Sequence, residues 1–506
     1  MIQLDLATVA SAVGGRLHRA AGSETVSGSV EFDTRNLEPG GLFAAMPGQR
    51  VDGHDFAKQA IANGAIGVLA GREVPAPAVI APPVENTQPT SILALAGDTN
   101  GSGAAVLVAL AKLAHHVVSQ LPRCTVIGVT GSCGKTSTKD LIAHLLEPMG
   151  PTVASPRSFN NELGQPWTIL QARQNTRHLV LELGTRGIGH LTTLCSTARP
   201  RIGVVLNVGD AHIGEFGSQA AIAQAKGELV EALPNADDGG IAVLNADDPL
   251  VAAMAERTSA HVVLTGRTTA ADVRATDIEL DQHGRPRFIL SSRTDRYAAS
   301  VRVALPTHGE HQVDNALAAT AVALELGAGI DDVANRLEAE RRTAPHRMAV
   351  HTTANGAMVI DDARNASSRS MEAALRTLAS MARADGDQAH QRTWAVLGGM
   401  RELGEETDKA HDRLGRLAMR LGVERVIAVG TDAQRIHDAS SCERSGSQQS
   451  VLVPDAEAAI ALLREELRTD DIVLVKGARV AALWRIAEAL LPAGTSSTGW
   501  DGEYSL

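Results

Sequence analysis

Short apolar runs alternate with amphipathic stretches over most of the chain. Residues 125–129, 178–183, 202–207 and 241–244 are almost continuously apolar, as strands buried on both faces of a parallel sheet are. Between them, 135–146 and 218–233 carry apolar residues at helical spacing. This alternation predicts an α/β unit built on a mainly parallel sheet. It resumes with strands expected at 358–361, 393–397, 425–429 and 472–475, after a boundary near Ala344-Pro345. Upstream, Leu107, Leu110, Leu113 and Val117 share one face of a connecting helix over 103–121, which Pro122 would stop. Residues 1–96 mix short apolar runs with turn residues. The segment 440–450 reads as a polar loop and 493–499 as a loose tail. The expected division is 1–96, a connecting helix within 97–121, a central domain 122–343 and a C-terminal domain 344–506.

Composition narrows the function. The 506 residues suit about three domains. With 44% hydrophobic and 21% charged residues, extensive disorder is excluded. The 47 basic against 58 acidic residues leave a net charge of −11, which argues against a nucleic-acid partner. Aromatic residues, at 2%, are too few for a base-stacking platform. The four cysteines, Cys124, Cys133, Cys195 and Cys442, form neither a CxxC pair nor a zinc-like spacing. The first residues lack a signal-peptide pattern, and no unbroken apolar run reaches about 18 residues. A cytoplasmic protein without a membrane span is expected.

The sharpest chemical signal is Thr125-Val-Ile-Gly-Val-Thr-Gly131-Ser-Cys-Gly134-Lys135-Thr136-Ser137. A buried strand enters a glycine-rich turn, then Gly-Lys-Thr opens a helix. Such a turn lets backbone N–H groups and the positive helix end face phosphates. Lys135 would bridge the β- and γ-phosphates of ATP, with the Thr136 hydroxyl on Mg2+. Val129 stands where the usual motif begins with glycine, so the loop reads TGxxGKT.

Three further polar residues sit at or beyond later strands: Glu182, His212 and Lys226. A carboxylate in an apolar strand is costly unless paired or metal-bound. Ligands of open α/β sheets gather at the carboxyl ends of strands. Glu182 and His212 could complete an Mg2+ site. Alternatively Glu182 pairs with Arg186, His212 is a hydrogen-bonded loop histidine, and Lys226 is solvated.

The ordered motifs as a set resemble the Mur ligases, ATP-dependent amide-forming enzymes of peptidoglycan precursor synthesis, and among them the dipeptide-adding branch. Phe32-Asp33-Thr34-Arg35, the segment from Gly48 to Phe56, the loop from Thr130 to Thr138, and Ser158-Phe159-Asn160-Asn161-Glu162 carry the likeness. So do the segment from Asn207 to Ser218, Ala225-Lys226-Gly227-Glu228, the segment from His308 to Leu317, His346-Arg347-Met348, Ile360-Asp361-Asp362 and Val475-Lys476-Gly477. The resemblance implies a three-domain α/β architecture: a UDP-sugar domain, a phosphate-loop central domain with a mainly parallel sheet, and a Rossmann-like C-terminal domain for the amine substrate. It implies that ATP and Mg2+ are used to join D-Ala-D-Ala to the carboxylate of a UDP-N-acetylmuramoyl-tripeptide through an acyl phosphate. It further implies a monomer acting on small molecules.

Transferred motif by motif, Gly131, Gly134, Lys135, Thr136 and Ser137 would bind the nucleotide phosphates. Thr136, Glu182, His212 and a carbamylated Lys226 would hold Mg2+. Asn315 would contact adenine, Arg347 the phosphates and Asp362 the ribose. Asp33, Thr34, Arg35, Asn160, Asn161, Arg364 and Asn365 would bind substrates.

One motif departs. The family commonly has Asp-Asp-Ser/Ala-Tyr-Asn-Ala-Asn-Pro where this chain has Asp361-Asp362-Ala363-Arg364-Asn365-Ala366-Ser367-Ser368, and Gly-Asp/Glu-Met where it has Gly398-Gly399-Met400. Arg364 places a permanent cation where a ring is expected. Either it is drift, with the side chain reaching outward, or the chain is a paralogue that ligates a different amino acid or peptide.

Overall fold

The computed structural model describes residues 1–48, 51–84, 95, 98–294, 297–340, 345–382 and 391–492. The expected tail at 493–499 and the boundary residue Ala344 lie outside them.

The largest sheet has nine strands, ordered Tyr297–Ala304, Pro286–Thr294, Val273–Leu280, His261–Gly266, Ile241–Asn245, Ile202–Val205, Thr125–Thr130, His178–Glu182 and Thr152–Ala154. From Thr152–Ala154 to Val273–Leu280 every pairing is parallel. Successive residues in these strands feed two cores because the side chains alternate across the sheet. Ile127, Val129, Val180 and Val204 pack with the helices Lys135–Leu146 and His311–Glu325. Val126, Leu179, Leu181 and Val205 join the opposite core.

The sequence pattern did not reveal the short strand Thr152–Ala154, the strand His261–Gly266 or the last three strands, and those last three pair with one another in antiparallel fashion. They are buried on one face only: Val273, Ala275, Phe288, Leu290 and Val303 point to the core. Their apolar residues are therefore interrupted by Arg274, Thr276 and Arg287 and form no continuous run.

The first unit holds a five-stranded sheet, ordered Arg16–His18, Ala78–Ile80, Gly67–Ala70, Leu42–Ala44 and Val30–Glu31. The helix Ser102–Ser119 packs against Leu6–Val13 of this unit and against Gly164–Ile169 and His190–Ala198 of the central one. Leu107, Leu110, Leu113 and Val117 lie in one continuous core with Leu6, Val9, Leu163, Ile169 and Leu194. By length and composition this helix could cross a membrane, but 61% of it is buried inside the protein. Its apolar character is that of a core helix shared by two units.

The C-terminal sheet runs Ala349–Thr352, Met358–Asp361, Ile472–Lys476, Thr393–Gly398, Arg425–Val429 and Gln449–Val453, parallel except for its first strand. Trp394 is fully buried, donates to Asp471 at 3.1 Å and lies under the guanidinium groups of Arg392 and Arg425. The polar segment 440–450 is not simply a loop. A helix runs to Glu443 and a strand begins at Gln449. Ser440 is buried and its hydroxyl donates to the Gly415 carbonyl at 3.2 Å, so a polar residue serves an internal contact.

Truncating Leu113, which is fully buried in the shared core, should cost about 2–5 kcal/mol. Leu113→Ala is expected to lower the thermal midpoint followed by circular dichroism; an unchanged midpoint would show that the helix does not hold the two units together.

Candidate active site

A cleft of about 470 Å3 opens where the carboxyl ends of the central parallel strands face the C-terminal domain. Every predicted site residue lines it except Asp33, Thr34 and Arg35. Those three sit in the first unit, where Asp33 starts a turn, accepts from the Arg35 amide and binds its guanidinium at 2.8 Å.

The phosphate loop follows the strand Thr125–Thr130 and opens the helix Lys135–Leu146. Gly134 has φ +86°, and a Cβ there would stand 2.5 Å from Asn315 Oδ1, so both conformation and space require glycine. Lys135 Nζ curls back to the Gly131 carbonyl at 2.6 Å. Asn315 braces the loop: its Oδ1 accepts from Thr138 at 3.1 Å and its Nδ2 donates to Gln312 at 2.9 Å.

Glu182 ends the strand His178–Glu182 and is 1% exposed. One carboxylate oxygen accepts from the Thr136 hydroxyl at 2.7 Å, and the other from Asn160 Nδ2 at 2.8 Å. Arg186 is not its partner. That side chain approaches Glu402 at 3.9 Å. Asn160 is thus fixed by Glu182, while Asn161 accepts from the Gly164 amide at 2.9 Å and shapes the following helix.

Lys226 lies on the helix Gln219–Glu231, is 5% exposed and is not solvated. Among the described residues no ion pair or hydrogen bond engages its amine. Burial, then the positive charge of Lys135, push its pKa well down. Lys135 is lowered as well, first by burial, with Glu182 opposing. Burial and the neighbouring Lys135 amine both favour the neutral form of Lys226.

His212 has a left-handed backbone, φ +64°. Its Nδ1 pairs with Glu402 of the C-terminal domain, and Glu215 stands 4.0 Å away. The sequence did not single out Glu402. It also missed the role of Lys476, which is 2% exposed and donates to Asp362 at 2.6 Å and to the Asn365 carbonyl at 2.9 Å. The sequence signals for Lys476 are its place in the Val475-Lys476-Gly477 motif and a lysine ending a fully apolar strand. The second oxygen of Asp362 accepts from the Met348 amide at 3.2 Å. His311, next in charge to Asp362 and Lys476, is kept neutral chiefly by burial, its pKa pushed down to about 4.

Arg347 donates to Ser158 at 3.1 Å across the seam between the two domains. Arg369 reaches Asp248 at 3.3 Å, and the Gly214 amide donates to the Glu402 carbonyl at 3.1 Å. Arg364 is half-buried on the cleft wall, so its side chain does not simply reach outward. At the second departure, a side chain on Gly399 would stand 2.5 Å from Asp432 Cβ, and Asp432 itself pairs with Arg401 at 2.6 Å. The space for an acid at 399 is already filled by a neighbouring acid.

The first unit touches the cleft through aromatic rings. Trp167 lies edge-on to Phe32 at 6.3 Å and to Phe159 at 5.2 Å, and Phe159 lines the cleft. The Trp167 indole N–H donates to Glu31 at 3.2 Å. Burial pushes the Glu31 carboxyl up to about 7.

Comparisons with known proteins match this geometry. Three family models align: the Mur ligase family catalytic domain over residues 28–96, the Mur ligase middle domain over 129–323, and the Mur ligase glutamate ligase domain over 346–479. The chain is 48% identical to the UDP-N-acetylmuramoyl-tripeptide–D-alanyl-D-alanine ligase of Mycobacterium tuberculosis, covering 97% of this chain and 98% of that one. It is 34% identical to the protein of the same name from Escherichia coli, covering 98% and 100%. Among solved structures, MurF from Acinetobacter baumannii superimposes with a TM-score of 0.79 at 28% identity, covering 96% of this chain and 98% of that one. MurF ligase from Thermotoga maritima in complex with ADP superimposes with a TM-score of 0.73 at 26% identity, covering 91% and 96%.

An acid whose pKa is raised in the fold takes up a proton on folding between its unfolded and folded values. For Glu31, stability should therefore fall as pH rises from about 4.5 to about 7 and stay lower above. Glu31→Gln is expected to flatten that part of the profile and to stabilise the protein at pH 8 by no more than about 3 kcal/mol. Urea melts at pH 5 and pH 8 check this; equal pH dependence in both proteins would refute it.

Proposed function

The chain belongs to the Mur ligase family, and on that premise we propose that it joins D-Ala-D-Ala to the terminal carboxylate of a UDP-N-acetylmuramoyl-tripeptide, using ATP. One observation carries the reading. The phosphate loop, the buried Glu182 and the buried amine of Lys226 face the same cleft as Arg347, Asp362 and Lys476 of the C-terminal domain. Nucleotide and amine can therefore meet there.

In the first step an oxygen of the peptide carboxylate attacks the γ-phosphorus of ATP. The bond to the β–γ bridging oxygen breaks, and ADP leaves. In the second step the amine lone pair attacks the acyl carbon, the carbon–oxygen bond to phosphate breaks, and a proton is lost from nitrogen. Lys135 and the amides at the start of its helix take the charge of the β- and γ-phosphates. Arg347 brings a further cation from across the seam. Asp362, held by Lys476, would bind the ribose hydroxyls, and Asn315 would meet the adenine. Gly131, Gly134 and Ser137 allow the phosphates to approach the backbone. Asn160, Asn161 and Asn365 stand on the substrate walls, while Asp33, Thr34 and Arg35 are assigned to the UDP end.

Mg2+ suits this donor set: a buried carboxylate, a hydroxyl and an imidazole, from Glu182, Thr136 and His212. Its chemistry there would be charge neutralisation on the phosphates. A bare ammonium would repel the ion, whereas a neutral Lys226 amine can add CO2 and release a proton. The resulting carbamate oxygens complete an anionic site. Substrates of this kind, ATP and a nucleotide sugar, support a cytoplasmic reaction by a monomer.

Incubation with UDP-N-acetylmuramoyl-tripeptide, D-Ala-D-Ala, ATP and Mg2+ should release ADP and give a product heavier by one dipeptide minus water. ATP binding without that product would refute the assignment and favour another amine. Lys226→Ala is expected to lose most of this activity and to regain part of it with short carboxylic acids in the buffer. Full activity without any added acid would rule out the carbamate role.

A further inference from the structure

Four arginines from separate loops converge on one part of the cleft. Arg364 follows the strand Met358–Asp361, Arg479 follows Ile472–Lys476, Arg347 precedes Ala349–Thr352, and Arg157 lies beside the Ser158–Asn160 loop. Arg347, Arg364 and Arg479 line the cavity. Arg364 feels the charge of the other three and of Glu182. Arg347, Arg364 and Arg479 are half-buried and Arg157 is exposed; like charges repel, and Arg364 is drawn down to about 10, first by burial and then by these neighbours. A fixed group of cations on a cleft wall is an anion site, and a guanidinium is shaped to hold a carboxylate through two parallel hydrogen bonds.

The cleft itself indicates which anion. The phosphates are served by Lys135 and the phosphate-loop amides. The reacting peptide carboxylate loses its charge when it becomes an acyl phosphate. The incoming dipeptide keeps a free carboxylate throughout. Its amine must reach the acyl carbon beside the phosphate loop, and two residues span about 7 Å. Arg364 lines the same cleft as Glu182 and the phosphate loop. The cleft acids would not repel the newcomer strongly: Glu182 is held by Thr136 and Asn160, Glu402 by His212, and Asp362 by Lys476.

We propose that Arg364, backed by Arg479, binds the terminal carboxylate of the incoming dipeptide and makes the enzyme select an acceptor with a free acid. This rests on the ligase reading above and deepens it. The residue that departs from the family motif becomes a specificity determinant for the amine substrate.

The test compares D-Ala-D-Ala with its C-terminal amide as acceptors, in the wild-type enzyme and in Arg364→Gln and Arg364→Lys. Wild-type kcat/KM should favour the acid by about tenfold to a hundredfold, the range of one charge-assisted contact. In Arg364→Gln the acid's KM should rise by that factor, the preference should disappear, and KM for ATP and for the UDP-tripeptide should stay within about twofold. Arg364→Lys should retain part of the preference. Two results would overturn the proposal: an acid preference that survives in Arg364→Gln, or a rise confined to KM for ATP, which would assign the cation to phosphate. A wild-type enzyme that is active on the acid but equally active on the amide would also overturn it while leaving the ligase reading intact. If the wild-type enzyme turned over neither acceptor, the ligase reading would fail and take this inference with it.

Discussion

The site depends on one buried carboxylate. Glu182 stands at the end of a strand that is apolar on both faces, where an unpaired charge would cost several kcal/mol. It is tolerated because Thr136 and Asn160 each donate to one of its oxygens. That requirement ties three segments together: the phosphate-loop helix, the central strand and the loop carrying Asn160. The same constraint places two amines nearby. Lys135 is anchored to the Gly131 carbonyl, whereas among the described residues the Lys226 amine has no hydrogen-bond or ion-pair partner, and burial lowers its pKa. A buried amine with a lowered pKa is a reactive group, and it faces the same cleft as the carboxylate because the helix Gln219–Glu231 packs beside the strand Ile202–Val205.

The two seams around the central domain differ in their physics. Toward the first unit the seam is a continuous apolar core in which Leu107, Leu110 and Leu113 contact both sides. Separating the units would expose that surface, so they behave as one body. Toward the C-terminal domain the seam is polar: Arg347 to Ser158, Arg369 to Asp248, and His212 with Arg186 to Glu402. Polar seams resemble transient interfaces and allow relative domain motion. The substrate cleft lies at the seam that can move, and the apolar join supports it from behind.

The altered motif at 361–368 shows how a departure is accommodated. Asp361 and Asp362 keep their partners, His346 and Lys476 at 2.7 and 2.6 Å. The frame of the loop is therefore intact, while Arg364 changes the charge of the surface it presents. At Gly399 the loss of a side chain is matched by Asp432 packed in its place. These changes alter the charge at the cleft without dismantling the proposed nucleotide-binding frame.

Much of this was legible in the sequence because local chemistry determined it. Strands buried on both faces must be continuously apolar, a helix that opens on Gly-Lys-Thr must follow a turn only glycine can make, and a carboxylate in an apolar strand must have a partner. Those rules located the central strands, the phosphate loop, Glu182 and the connecting helix. The antiparallel strands from Val273 to Ala304 escaped because burial on one face leaves no continuous run. Contacts between distant segments were equally invisible. Lys476 meets Asp362 across 114 residues, Glu402 meets His212 across the domain seam, and four arginines converge from separate loops. No local pattern encodes such meetings, since they depend on which strand ends the sheet order makes neighbours. The sequence by itself determined which residues could do chemistry; the tertiary structure decided which of them face one another, because charge and reactivity depend on distances that only packing sets.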